Sequence, residues 1–144
     1  MIDDIKRMIF SGCIILVLAS MVFVSYAKME KTAISEGNLA DLKGKWVGSR
    51  TVGMKTSNTD LEISNDSLPV QGKLIFRDIV IPGRPVQTAI IDFKNAKIND
   101  QGNLLIIGPN NEVELSLYKD DGKMKLEGNF FWMGARGTMS FTKK

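Results

Sequence analysis

Residues 112–130 read Glu-Val-Glu-Leu-Ser-Leu-Tyr-Lys-Asp-Asp-Gly-Lys-Met-Lys-Leu-Glu-Gly-Asn-Phe, and this stretch decides the fold. Val113, Leu115 and Leu117 alternate with Glu112, Glu114, Ser116 and Tyr118. After Asp120-Asp121-Gly122-Lys123, the residues Met124, Leu126, Gly128 and Phe130 alternate with Lys123, Lys125, Glu127 and Asn129. Successive side chains of a strand point to opposite faces, so a period of two gives each segment one apolar and one polar face. The Asp-Gly pair between them suits a tight reversal, because glycine accepts the positive φ that such a turn needs. The stretch is a β-hairpin.

The same texture extends outward in both directions. Asn65-Asp66-Ser67, Pro82-Gly83-Arg84-Pro85, Asp100-Gln101-Gly102-Asn103, Pro109-Asn110-Asn111 and Gly134-Ala135-Arg136-Gly137 mark further breaks. Between them the pattern predicts strands at 44–53, 59–64, 71–81, 86–99, 103–108, 112–119, 123–132 and 136–142. No intervening segment is long and helical enough for a crossover between parallel strands, so neighbours pair antiparallel in sequence order. The fold class is all-β: a small antiparallel up-and-down barrel of about eight strands, spanning residues 44–144. Leu, Ile and Phe dominate the inferred inward positions, with Gly48 and Gly128 as the main gaps. That balance predicts a filled core over a roomy cavity.

Ahead of the barrel the composition changes. Met8 to Ala27 contains 20 uncharged residues, enough for a helix across about 30 Å of hydrocarbon. Lys6 and Arg7 precede it and favour a cytoplasmic N-terminus, which puts the barrel outside the cytoplasm. Residues 1–27 are therefore read as an apolar helix, either a signal peptide cleaved before Lys28 or a transmembrane anchor. Residues 28–43 read as a polar linker or short helix. Phe10-Ser11-Gly12-Cys13 has some likeness to a lipoprotein acylation signal, but most of the apolar run follows Cys13 rather than preceding it. The expected location is periplasmic or extracellular, with membrane attachment through residues 8–27 if the leader is retained.

Leu42-Lys43-Gly44-Lys45-Trp46-Val47-Gly48 resembles the opening of calycin-type barrels, the lipocalins and avidins, whose first strand begins with a Gly-x-Trp motif. Lipocalins typically pack a basic residue from near the last strand over that tryptophan. The resemblance implies that Arg136 stacks on Trp46 at the closed end and that Trp46 is structural. The body is shorter than a typical lipocalin, shows no helix before the last strand and has no disulfide, and nothing matches the biotin-contacting residues of avidin. The resemblance implies a fold, not a particular ligand.

Composition excludes much chemistry. The chain has no histidine, and Cys13 is its only cysteine. This removes the commonest general base and metal ligand, the Ser-His and Cys-His nucleophile pairs, and thiolate zinc or iron–sulfur sites from the body. Glu112 and Glu114 share a strand face, which a solvated outer surface explains. No phosphate loop or dinucleotide fingerprint is present. No catalytic residue, metal ligand or cofactor is expected, and the protein reads as non-enzymatic. Without Lys6, Arg7, Asp3 and Asp4, 17 basic and 14 acidic residues remain, a net of +3. The basic residues are scattered, which gives nucleic-acid binding no support.

One constellation points to contact with something else. Phe130-Phe131-Trp132-Met133 ends a predicted strand just before Arg136, and alternation sends two of these four large side chains off the core face. Phe131, Trp132, Met133 and Arg136 are the candidate contact residues for a partner or ligand. The expected function is an interaction or accessory role in the cell envelope, with a protein partner or a larger membrane complex. The alternatives are a lipocalin-like carrier of a small hydrophobic ligand and a secreted inhibitor of another macromolecule.

Overall fold

The computed structural model describes residues 29–144, so the leader of residues 1–27 lies outside the described residues. Among the described residues no helix is long and apolar enough to cross a membrane. The nine strands are β1 (Glu30–Thr32), β2 (Gly44–Val52), β3 (Lys55–Ile63), β4 (Val70–Ile79), β5 (Gln87–Ile98), β6 (Leu104–Gly108), β7 (Asn111–Asp120), β8 (Lys123–Trp132) and β9 (Ala135–Lys143). A short 3₁₀ helix occupies Glu36–Asp41. The eight strands β2 to β9 fall where the alternation and turn spacing predict them.

Each of these eight pairs antiparallel with the next, and β9 returns to pair with β2, closing a barrel. The β7–β8 reversal is the Asp121-Gly122 pair, with φ of 43° and 78°. The β8–β9 reversal is Met133-Gly134, with φ of 46° and 86°. Two consecutive positive φ angles give the turn twist that matches the right-handed twist of the strands. Gly48 and Gly128 are not gaps in the interior. A Cβ at Gly48 would collide with the Ser140 carbonyl, and one at Gly128 with the Glu114 carbonyl. These glycines let neighbouring strands approach closely, as a tightly curved small barrel requires.

The alternation resolves into an inside and an outside. Trp46, Leu61, Leu74, Leu104, Leu115, Leu117, Leu126 and Phe141 are all fully buried and fill one half of the barrel. Residues 29–43, within the segment expected as a polar linker or short helix, contribute to this half. β1 adds to β7 through the pairs Glu30↔Lys119 to Thr32↔Leu117, and the 3₁₀ helix lays Leu39 across the barrel end beside Leu42. Ile34 is buried as well, and its amide donates to the Gly102 carbonyl at 2.9 Å. These isolated apolar residues look like linker in sequence because their burial depends on a surface that forms only when the barrel closes.

Trp46 sits at this closed end, with none of its surface exposed. Its Nε1–H donates to the Leu42 carbonyl at 2.8 Å, satisfying the one polar atom of the ring. The cation above it is Lys143, not Arg136. Lys143 Nζ lies 5.6 Å from the ring centroid and donates to the Asp41 carbonyl, while Arg136 lies over Phe131. Register explains the correction: β2 and β9 are antiparallel, so Trp46 meets Lys143 at the end of β9. Arg136, near the start of β9, pairs with Phe131 at the opposite end of the barrel.

The wall is uneven at one seam. β5 and β6 share only the pairs Lys97↔Leu105 and Ile98↔Leu104, although β5 runs for 12 residues. One local feature coincides with the end of this pairing. Val70↔Ala96 is followed by Gly72↔Phe93, so β5 carries one extra residue around Lys94–Asn95, a bulge that bends the strand. β6 continues to Gly108, just before Pro109, through its pairs with β7. A notch is left between β5 and the β6–β7 turn.

Candidate functional site

The end of the barrel away from Trp46 is open. The last inward residues of β2, β4 and β8 and the first of β5 meet there without a helix across them. They are Arg50 and Val52, Phe76 and Ile79, Phe130 and Trp132, and Ala89 and Ile91, with Ala135 at the lip. Together they enclose a cavity of about 270 Å³. The notch beside β6 forms a second space of about 340 Å³, lined by Phe93, Ile106, Asn111 and Val113 among others. Ile91 and Trp132 line both, so the mouth continues sideways into the notch. The expectation of a filled core describes the Trp46 half, while at the mouth a space of about 270 Å³ remains between the side chains.

The four residues of the Phe130–Met133 run are divided by alternation. Phe130 and Trp132 point inward; Phe131 and Met133 point outward. Trp132 is half-buried, and its ring meets Phe76 at 5.1 Å between centroids with a 54° tilt, a favourable aromatic geometry. Phe131 lies on the outer wall beneath the Arg136 guanidinium, 5.6 Å from its centroid. Met133 occupies the β8–β9 turn and is 79% exposed. Of the residues singled out in sequence, Trp132 therefore lines the cavity, while Phe131, Met133 and Arg136 form an outer rim. Val52, Met54, Val80, Ile81 and Val86 are also exposed on or beside the hairpin loops at this end.

Arg50 is the residue the sequence reading missed. It shares the inward face of β2 with Trp46 and Gly48, which puts a charge where alternation calls for an apolar side chain. Nη1 donates to the Asn58 carbonyl at 2.7 Å and to Thr59 Oγ1 at 2.8 Å, and Nη2 to the Arg77 carbonyl at 2.9 Å. These acceptors are free because the β3–β4 ladder stops at Thr59↔Phe76, and Asp78, at φ 57°, bends β4 before pairing resumes with β5. The guanidinium also lies 5.4 Å from the Phe76 centroid. Burial pulls its pKa down and the Asp78 charge opposes this, but a guanidinium stays protonated in either case. Among the described residues no carboxylate comes within salt-bridge distance of it.

A separate polar cluster has a structural role. Glu114 Oε1 accepts from Asn99 and Asn103 side-chain amides, both at 2.8 Å, and Ser116 Oγ donates to Asn103 Oδ1 at 2.9 Å. The two amide donors, Asn103 first, hold the Glu114 carboxyl below its ordinary range. Asn99 Oδ1 accepts the backbone N–H of Gln101 and Asn103, so the network secures the β5–β6 turn. Asn111 Oδ1 in the notch is buried with no donor among the described residues. Among those residues no three carboxylate or thiol groups converge in a metal-binding arrangement. Comparison of the chain with protein-family models, with curated proteins and with solved structures returned no match.

Proposed function

We propose that this protein is a non-enzymatic binding barrel of the cell envelope that takes a small, largely apolar ligand at its open mouth. One observation carries the reading: a barrel closed and filled at the Trp46 end opens at the other onto a cavity walled by Phe76, Ile79, Ile91 and Trp132. Ligand sites are mostly concave and apolar with few polar groups, and an eight-stranded barrel is about the size that holds one small ligand. The Gly-x-Trp start of β2 and the consecutive strand order support a calycin-type affiliation. The extracytoplasmic location rests on the apolar leader and its preceding Lys6 and Arg7, and the non-enzymatic reading on the absence of histidine.

The test is to fill the cavity. Ala89 lines the mouth and is half-buried, so Ala89→Trp places an indole in the space without touching the closed end. Binding of an uncharged apolar probe such as 1-octanol should fall at least tenfold in this variant, with the melting temperature nearly unchanged. An unchanged affinity would remove the mouth as the site.

A second reading is favoured by the rim. Met54, Val80, Val86 and Met133 are large, apolar and exposed on three different hairpin loops around one opening. Such clustering is typical of a surface that meets a partner. In this reading the barrel is an accessory subunit docking by its rim, and Met133→Ser with Met54→Ser should abolish partner capture while leaving octanol binding intact.

A further inference from the structure

We propose that the ligand of the mouth is a medium-chain amphipathic carboxylate, its head held by the free edge of the Arg50 guanidinium and its tail by the cavity. This rests on the reading of the mouth as a ligand site and adds the charge, the contact and the size.

The guanidinium has five N–H donors in a fixed planar fork. Three contacts engage Nη1 twice and Nη2 once, all with oxygens of β3 and β4. Nε–H and the second N–H of Nη2 are left without an acceptor among the described residues. Nε and Nη2 lie side by side on one edge of the guanidinium, the pair of nitrogens that can grip a carboxylate with two parallel hydrogen bonds. The three engaged donors fix the plane of the group, so the free edge is set before a ligand arrives. An arginine used only to satisfy stray carbonyls would suit an exposed site equally well. Here it lines a space whose other walls are Val52, Phe76, Ile79, Ala89, Ile91, Phe130 and Trp132, and apolar walls on that side strengthen its attraction to an anion relative to an arginine standing in open water.

Charge and volume narrow the class. One guanidinium matches one negative charge, and Asp78, close enough to act on Arg50 electrostatically, disfavours a second. A phosphate monoester carries about −1.5 to −2 near neutral pH and is the poorer match. The cavity of about 270 Å³ holds roughly nine non-hydrogen atoms at the ~30 Å³ that a water occupies in the liquid, and the notch that continues from it takes the end of a longer tail. A chain of about eight carbons with a carboxylate head fits that space.

The experiment uses the whole chain held in amphipol, titrated calorimetrically at pH 7 with three ligands of identical tail: octanoate, 1-octanol and octylammonium. Octanoate should bind at least tenfold tighter than octanol, with octylammonium weakest, and Arg50→Gln should bring octanoate and octanol within about threefold of each other. If octanol binds as tightly as octanoate to the unaltered protein, the carboxylate proposal is overturned and the apolar mouth stands. If none of the three binds, the mouth reading fails and this proposal fails with it. Should Arg50→Gln not fold, the order of the three ligands on the unaltered protein decides alone.

Discussion

The two tryptophans should respond very differently to the same truncation. Trp46 is wholly buried, donates to the Leu42 carbonyl at 2.8 Å and lies beneath Lys143 Nζ at 5.6 Å. Emptying a core site of this kind costs about 3–5 kcal/mol, and the carbonyl left without its donor adds about 1 kcal/mol. Trp46→Ala should therefore destabilise by about 5 kcal/mol, enough to unfold many domains of this size. Trp132 occupies a mouth that is already open, so the space vacated by its ring joins an existing cavity of about 270 Å³ and leaves no new sealed void. Its loss removes the Phe76 ring contact, about 0.5–1.5 kcal/mol, and some half-buried apolar area. Trp132→Ala should cost about 1–2 kcal/mol. Urea unfolding followed by far-UV circular dichroism, with equal slopes for the variants and the unaltered protein, measures both on one scale. Equal losses for the two variants would mean that Trp132 plugs a sealed core, and the open-mouth description would be wrong.

Other outcomes follow from single contacts. Gly48→Ala should prevent stable folding or cost more than about 3 kcal/mol, because the new Cβ meets the Ser140 backbone across the ladder; Gly122→Ala, with open space around it but φ 78°, should cost only about 1–2 kcal/mol, and thermal melts compare them. Lys143→Ala should destabilise measurably and Arg136→Ala by less than about 0.5 kcal/mol in the same melts, since the former seals the closed end and the latter lies exposed over Phe131. The Glu114 carboxyl is held below its ordinary value of 4.5 by Asn103 and Asn99, so its contribution is complete above that value and disappears as pH falls through the lower folded one. Urea midpoints from pH 6 downward should therefore drop below about pH 4.5, and Glu114→Gln should flatten the portion of that drop that this group supplies.

Local sequence determined the strands of this protein. A strand needs only its own alternation and the turn residues at its ends, and both are written within ten or so positions, as in Val113-Leu115-Leu117 followed by Asp121-Gly122. The same locality made the inward and outward division of Phe130–Met133 legible, because alternation alone puts Trp132 on one face and Phe131 on the other. The closed end was legible in part: the Gly-x-Trp start marked Trp46 as structural, but its cation came from Lys143, since the meeting of β2 with β9 depends on a register set by the whole closed ladder. β1 and the burial of Ile34 and Leu39 escaped the sequence for the same reason, although the sequence allowed a short helix in this segment, since both residues are buried only against a finished barrel. The mouth is the most tertiary feature of all. Its cavity lies where the β4–β5 ladder becomes irregular between Phe76 and Ile79, and its one interior charge, Arg50, is held by carbonyls that the distortion at Asp78 sets free. Which backbone groups lose their partners is a property of strands brought together from distant parts of the chain, and no local pattern in the sequence records it.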